Sequence, residues 1–185
     1  MSFFEKLDIL AKECGTSAFR YIGCTPETLP AGLREQYRST GAALFVYIKS
    51  EISACFGKYP GIVMRLLDFE QFGTGGIIAY SAAVSYAREN RLLVVSDDCR
   101  YVTADNVRAL ISTYFTNPDK IDRSETHRIP LEEHGYNTDG LSVSPLSDKA
   151  ALDQLNTSAL TAGRQIFIGA GALHTPDGKT IGIVT

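Results

Sequence analysis

RQIFIGAGALHTPDGKTIGIVT, residues Arg164–Thr185, carries the pattern that decides the fold class. Its apolar run Ile166–Ile168 reads as a buried strand. A small-residue loop follows, Gly169-Ala170-Gly171-Ala172, and then His174. Thr175-Pro176-Asp177-Gly178 is a tight turn that sends the chain back into Ile181–Val184, so a C-terminal hairpin is predicted. Glycines at a strand mouth let a ligand approach the backbone. An imidazole beside them suits metal binding or proton transfer, although a histidine held by a hairpin carbonyl has the same sequence.

Upstream, helical and strand patterns alternate. Ser2 followed by Glu5 is a capping box, and Phe3, Leu7, Leu10 and Ala11 give a helix face that Gly15 ends. Phe19–Gly23 is a short first strand. Ala31–Arg38 is a short helix. Ala42–Ile48, rich in β-branched and aromatic residues, is predicted as a second strand ending near Glu51. Tyr59–Phe72 carries a helical stripe, and Ile77–Asn90 reads as a largely apolar, buried helix. Leu92–Val95 is the clearest strand and ends in Ser96-Asp97-Asp98. Helices over 103–115 and Asp148–Ala162 complete the order. Asp119–Pro145 is polar and turn-rich, carries His127 and His134, and is predicted as a lid-like loop.

This alternation predicts a single α/β domain spanning 1–185. Its mostly parallel central sheet would have helices on both faces and a C-terminal hairpin. The chain has 185 residues, enough for one core, with 44% apolar and 21% charged residues. A net charge of −3 gives no basic excess, so no nucleic acid is expected. Met1–Leu10 lacks a basic region followed by a long apolar run, and no stretch approaches the length of a membrane span. A cytoplasmic location, or export by a signal-less route, is therefore expected. Cys14, Cys24, Cys55 and Cys99 form no CxxC pair and read mainly as free thiols.

Ligands of α/β sheets sit beyond the carboxyl ends of strands. That rule collects Gly23, Cys24, Glu51, Asp97, Asp98, Gly169, Gly171 and His174 on one expected rim. Adjacent carboxylates at Asp97 and Asp98 repel, so they could share a cation, and a divalent metal is an option. The alternative is that one caps a turn and the other is solvated.

In order, these positions resemble the TraB/Tiki and erythromycin-esterase/ChaN-like superfamily. Gly171-Ala172-Leu173-His174 matches that family's final Gly-x-x-His, Leu44–Glu51 its second strand ending in glutamate, and Ala87–Asp98 its helix and aspartate strand. The first motif departs: Gly23-Cys24-Thr25-Pro26 has proline where the family has histidine. The resemblance implies a hydrolase-like site acting on a peptide or ester bond. His174 would be base or ligand, Asp97 and Asp98 would hold a cation or orient the base, and Glu51 would assist. The missing histidine leaves a non-catalytic binding or effector module, with a protein partner, as the competing expectation. Ile77–Asp98 is also similar to PIN-like nucleases, but the early strand lacks the acid that their Mg²⁺ cluster needs.

Overall fold

The structure, a computed structural model, describes residues 1–115, 135–169 and 173–184. Its order is α1 (Phe3–Cys14), β1 (Phe19–Tyr21), α2 (Ala31–Gln36), α3 (Thr40–Ser53), β2 (Gly61–Met64), α4 (Leu66–Glu70) and α5 (Thr74–Glu89). Then come β3 (Leu93–Arg100), α6 (Val107–Phe115), β4 (Gly140–Val143), α7 (Lys149–Thr161) and β5 (Gln165–Ile168). The chain closes with β6 (Leu173–His174), β7 (Thr180–Ile181) and β8 (Ile183–Val184).

β1 to β5 lie side by side in chain order, all parallel. The expected C-terminal hairpin is present, with β6 antiparallel to both β5 and β7. Only Gly182 separates β7 from β8, yet β7 pairs with β6 at one edge of the sheet and β8 pairs with β1 at the other. A single extended segment therefore joins both edges, and the sheet curls into a nearly closed barrel. Pairing both edges removes the exposed strand ends that an open sheet must protect.

Side chains alternate between the inside and outside of this barrel. Phe19, Val63, Leu93, Val95, Phe167, Leu173 and Ile181 pack together inside, joined by Phe3 and Leu7 of α1. Outside, Ile62, Met64 and Val94 pack under α3 and α5, while Leu141, Val143 and Ile166 pack under α6 and α7. Helices thus meet both faces unequally: α1 plugs the inner face and the remaining long helices clothe the outer one. The capping box forms as expected, with Ser2 Oγ accepting from the Glu5 N–H at 3.3 Å and Glu5 Oε2 accepting from the Ser2 N–H at 2.8 Å.

Three expectations are corrected. Ala42–Ile48 is part of α3, not a strand: Ser39 caps it through the Ala42 N–H, and Ala43, Leu44, Ile48 and Ile52 form its buried stripe. A short apolar run has no period of its own, and the flanking cap and stripe decide for helix. Tyr59–Phe72 is not one helix; Gly61–Met64, buried at every position, is β2. A strand covered on both faces shows no alternation and so hid its identity. Within the expected lid, Gly140–Val143 is a fully buried strand. The rest of that stretch through 134, with His127 and His134, lies outside the described residues, as do Ala170, Gly171 and Ala172.

Helix packing leaves no room at Gly76. A Cβ there would overlap the Phe69 carbonyl oxygen and press on Phe72. Gly76→Ala is expected to cost about 3 kcal/mol, because the obstructing atom is backbone. A urea-unfolding midpoint equal to wild type would contradict this α4–α5 packing.

Candidate functional site

In barrels of parallel strands with helical crossovers, sites gather where the strands end. Here the ends of β1 to β5 bring Tyr21 and Gly23, Arg65, Asp97 to Arg100, Ser142, and Gly169 to one mouth. Alternation sorts them. Phe19, Val63 and Val95 point inward, so Tyr21, Arg65 and Asp97, two residues farther along, belong to the inner side.

Asp97 is 3% exposed. Its Oδ2 lies 3.6 Å from the Arg65 guanidinium. Its Oδ1 is buried and has no hydrogen-bond partner among the described residues. A buried carboxylate oxygen left in this state is costly, which makes it an acceptor awaiting a donor. Arg65 also donates from Nε to the Asp97 carbonyl at 3.4 Å and lies over the Tyr21 ring at 5.9 Å. Burial works against its charge, but Tyr21, Asp68 and Asp97 outweigh that and hold the guanidinium above its ordinary value. The Tyr21 hydroxyl donates to Asp68 Oδ2. Gly23 leaves space for that pair, since a Cβ there would strike Asp68 and the Tyr21 ring.

Asp98 points the other way and is fully engaged. Its Oδ1 accepts from the Leu66 N–H at 2.7 Å. Its Oδ2 accepts from Ser96 Oγ at 2.6 Å and the Tyr114 hydroxyl at 3.0 Å, with Arg100 at 3.8 Å. Ser96 in turn lies 2.6 Å from the Tyr80 hydroxyl. The expected carboxylate pair is thus split across the strand: Asp97 borders the mouth and Asp98 ties the wall together. Cys99 follows with φ +47, a left-handed conformation uncommon outside glycine, and its N–H donates to Ser142 Oγ at 2.7 Å. Sparsely populated backbone of this kind clusters at binding and catalytic sites.

Burial, chiefly, raises the phenols of Tyr21, Tyr80 and Tyr114 above the usual tyrosine range. The folded state therefore holds these protons more tightly than the unfolded chain does. Their contribution is complete below about pH 10 and is lost as pH climbs toward the raised folded values. Urea midpoints should fall between about pH 9.5 and 11.5, and less steeply in Tyr114→Phe. Parallel slopes for the two proteins would exclude Tyr114 as a source.

The other expected site residues fall elsewhere. Glu51 sits on α3, at no strand end, because its supposed strand is a helix. His174 is exposed on β6, across from inward-facing Leu173, and its Nδ1 lies 2.8 Å from Thr180 Oγ1. It stands beside Ile168 with its side chain on the face opposite to Leu173, whereas Asp97 belongs to the inner side. Cys24 follows β1 but is buried, with Sγ against the Thr25 carbonyl at 3.4 Å and Thr28 Oγ1 at 3.7 Å. Gly169 ends β5 with φ +97. Arg65, Tyr21, Asp68 and Ser142 escaped the sequence reading. The four-residue apolar run before Arg65, read as a strand, would have placed it on the rim. Among the described residues no group of three or more His, Cys, Asp or Glu is arranged to hold a metal ion. No described helix is long and apolar enough to cross a membrane.

No protein-family model matches the chain. It is 26% identical over 182 residues to the orotidine 5'-phosphate decarboxylase of Rhodopirellula baltica, covering 90% of this chain and 57% of that protein. Among solved structures, it is similar to a Streptomyces avermitilis protein provisionally assigned as orotidine 5'-phosphate decarboxylase. That similarity has TM-score 0.64 and 18% identity, and covers 97% of this chain and 60% of the other. It is also similar to the Leishmania donovani orotidine monophosphate decarboxylase, with TM-score 0.58 and 20% identity, over 91% of this chain and 53% of that one. The chain thus spans a little over half the length of these relatives. These similarities overturn the TraB/Tiki and ChaN-like resemblance, and with it the peptide or ester hydrolase and the PIN-like nuclease. The fold is that of the decarboxylase barrels.

Proposed function

We propose that this chain is an orotidine 5'-phosphate decarboxylase-like lyase whose substrate, a pyrimidine nucleoside 5'-monophosphate bearing a ring carboxylate, binds in the C-terminal mouth of the barrel. The observation that carries the reading is Asp97: a buried carboxylate on the inner side of the mouth, with one oxygen against Arg65 and the other without a hydrogen-bond partner among the described residues. The free oxygen accepts a hydroxyl or ring N–H of the nucleotide, and Arg65 supplies fixed positive charge toward an oxyanion.

Decarboxylation breaks the bond between the ring carbon and its carboxylate. Carbon dioxide leaves, the electron pair stays on the ring carbon, and that carbon then takes a proton. A guanidinium already in place stabilises the developing negative charge without reorganising at the moment of reaction. Asp97 adds a second effect. Its charge repels the substrate carboxylate and has less to oppose once neutral carbon dioxide forms. The proton that replaces the carboxylate comes from solvent water.

The test is direct. Purified protein is mixed with orotidine 5'-phosphate, and carbon dioxide release and product uridine 5'-phosphate are measured together. Stoichiometric release above the uncatalysed rate is expected. The absence of both release and saturable nucleotide binding would overturn the proposal.

A further inference from the structure

At the opposite end of the barrel, three cations among the described residues gather on one carboxylate. Asp139, just before β4, is 3% exposed. Its Oδ2 accepts from the Val94 N–H at 3.1 Å, and its Oδ1 accepts from Arg164, which is 6% exposed and also donates to Asn137 at 2.6 Å. Asp139 and Arg164 already balance. Two further cations nevertheless converge on the same carboxylate: Lys6 Nζ at 3.7 Å and Arg88 Nε at 3.5 Å. Neither makes a hydrogen bond to it. Their side chains stay about 30% exposed, at a cavity of about 290 Å³ formed with Leu10, Arg91, Leu92 and Leu93. Arg91 is held by Glu13 at 3.1 Å in an exposed pair. The Arg164 guanidinium is lowered from its ordinary value by burial, and Arg88 pushes in the same direction.

We propose that this N-terminal mouth is a second binding site, for a small phosphomonoester. Lys6, Arg88 and Arg164 set against Asp139 leave two positive charges, which match a phosphate dianion. Lys6 and Arg88 both line the cavity, and an ammonium beside a guanidinium is a phosphate-binding pair. The apolar walls, Leu10, Leu92 and Leu93, suit the ester's organic part, and the volume restricts it to a small one. A merely structural ion pair would need one cation for Asp139, not three. The site is independent of the decarboxylase reading, because it uses the other end of the strands.

Phenyl phosphate and inorganic phosphate are the probes, titrated calorimetrically into the full chain and into Lys6→Gln, Arg88→Gln and Arg65→Gln. Phenyl phosphate is expected to bind more tightly than inorganic phosphate. Its affinity should fall at least tenfold in Lys6→Gln and in Arg88→Gln and stay within twofold in Arg65→Gln. Added phenyl phosphate should raise the melting temperature of wild type and lose that effect in Arg88→Gln. The ligand-free melting temperature of Arg88→Gln should not drop, because a surplus charge has been removed. Absence of binding by either probe, unchanged affinity in both N-terminal-mouth variants, or loss confined to Arg65→Gln would each overturn the second site.

Discussion

Asp97→Asn is expected to lower the proposed decarboxylation of orotidine 5'-phosphate by about 10²–10³-fold and to leave the fold as stable as before, whereas Asp98→Ala is expected to unfold the wall. The expectation follows from the partners of two adjacent side chains. Asp97 has one ion pair, at 3.6 Å, and one oxygen with no hydrogen-bond partner among the described residues. Asparagine keeps the shape and removes a charge that the fold does not use well. Asp98 accepts from a backbone N–H and two hydroxyls. Alanine there strands all three donors in a dry wall, at about 3 kcal/mol. Parallel rate assays and urea unfolding separate the two effects. The reverse pattern, with Asp97→Asn unstable and Asp98→Ala inactive but stable, would mean that the faces are assigned the wrong way round.

Asp139→Ala is expected to be the most destabilising single change at the N-terminal mouth, by about 3–5 kcal/mol. It leaves Arg164, almost completely buried, without its counter-charge, and leaves Lys6 and Arg88 repelling it. For a chain of this size the melting temperature should fall by roughly 10 °C. Adding Arg164→Met to the same chain should recover part of the loss, because it removes the uncompensated charge and keeps much of the volume. A double variant less stable than Asp139→Ala would mean that Arg164 contributes through packing and its contact with Asn137 rather than through charge.

Local chemistry made some of this legible in the sequence. The capping box at Ser2 and Glu5, the turn at Thr175–Gly178 and the strand start at Leu93 are each set by neighbours within a few residues. Gly23 and Gly169 follow β1 and β5, as the strand-end reading expected, while β3 runs past Asp97 to Arg100. What stayed hidden depended on distant contacts. β2 and β4 are buried on both faces, so neither shows alternation, and β4 lay in a stretch whose polarity suggested a loop. Ala42–Ile48 is a helix because Ser39 caps it and Ile52 extends its buried stripe, not because of its own composition. Barrel closure depends on β7 and β8 pairing with strands at opposite edges, which no local pattern encodes. That closure also explains His174. An inward Leu173 turns the next residue outward, so the imidazole that looked most functional faces away from the barrel interior.

The central claim is that the C-terminal mouth, around Asp97 and Arg65, is where the nucleotide sits. Amide chemical shifts recorded during titration with uridine 5'-phosphate test it most directly. Saturable shifts should concentrate at Tyr21, Arg65, Asp97, Cys99 and Ser142, and should vanish in Asp97→Asn. Shifts concentrated instead around His174 and Thr180, or a spectrum that never changes, would contradict it.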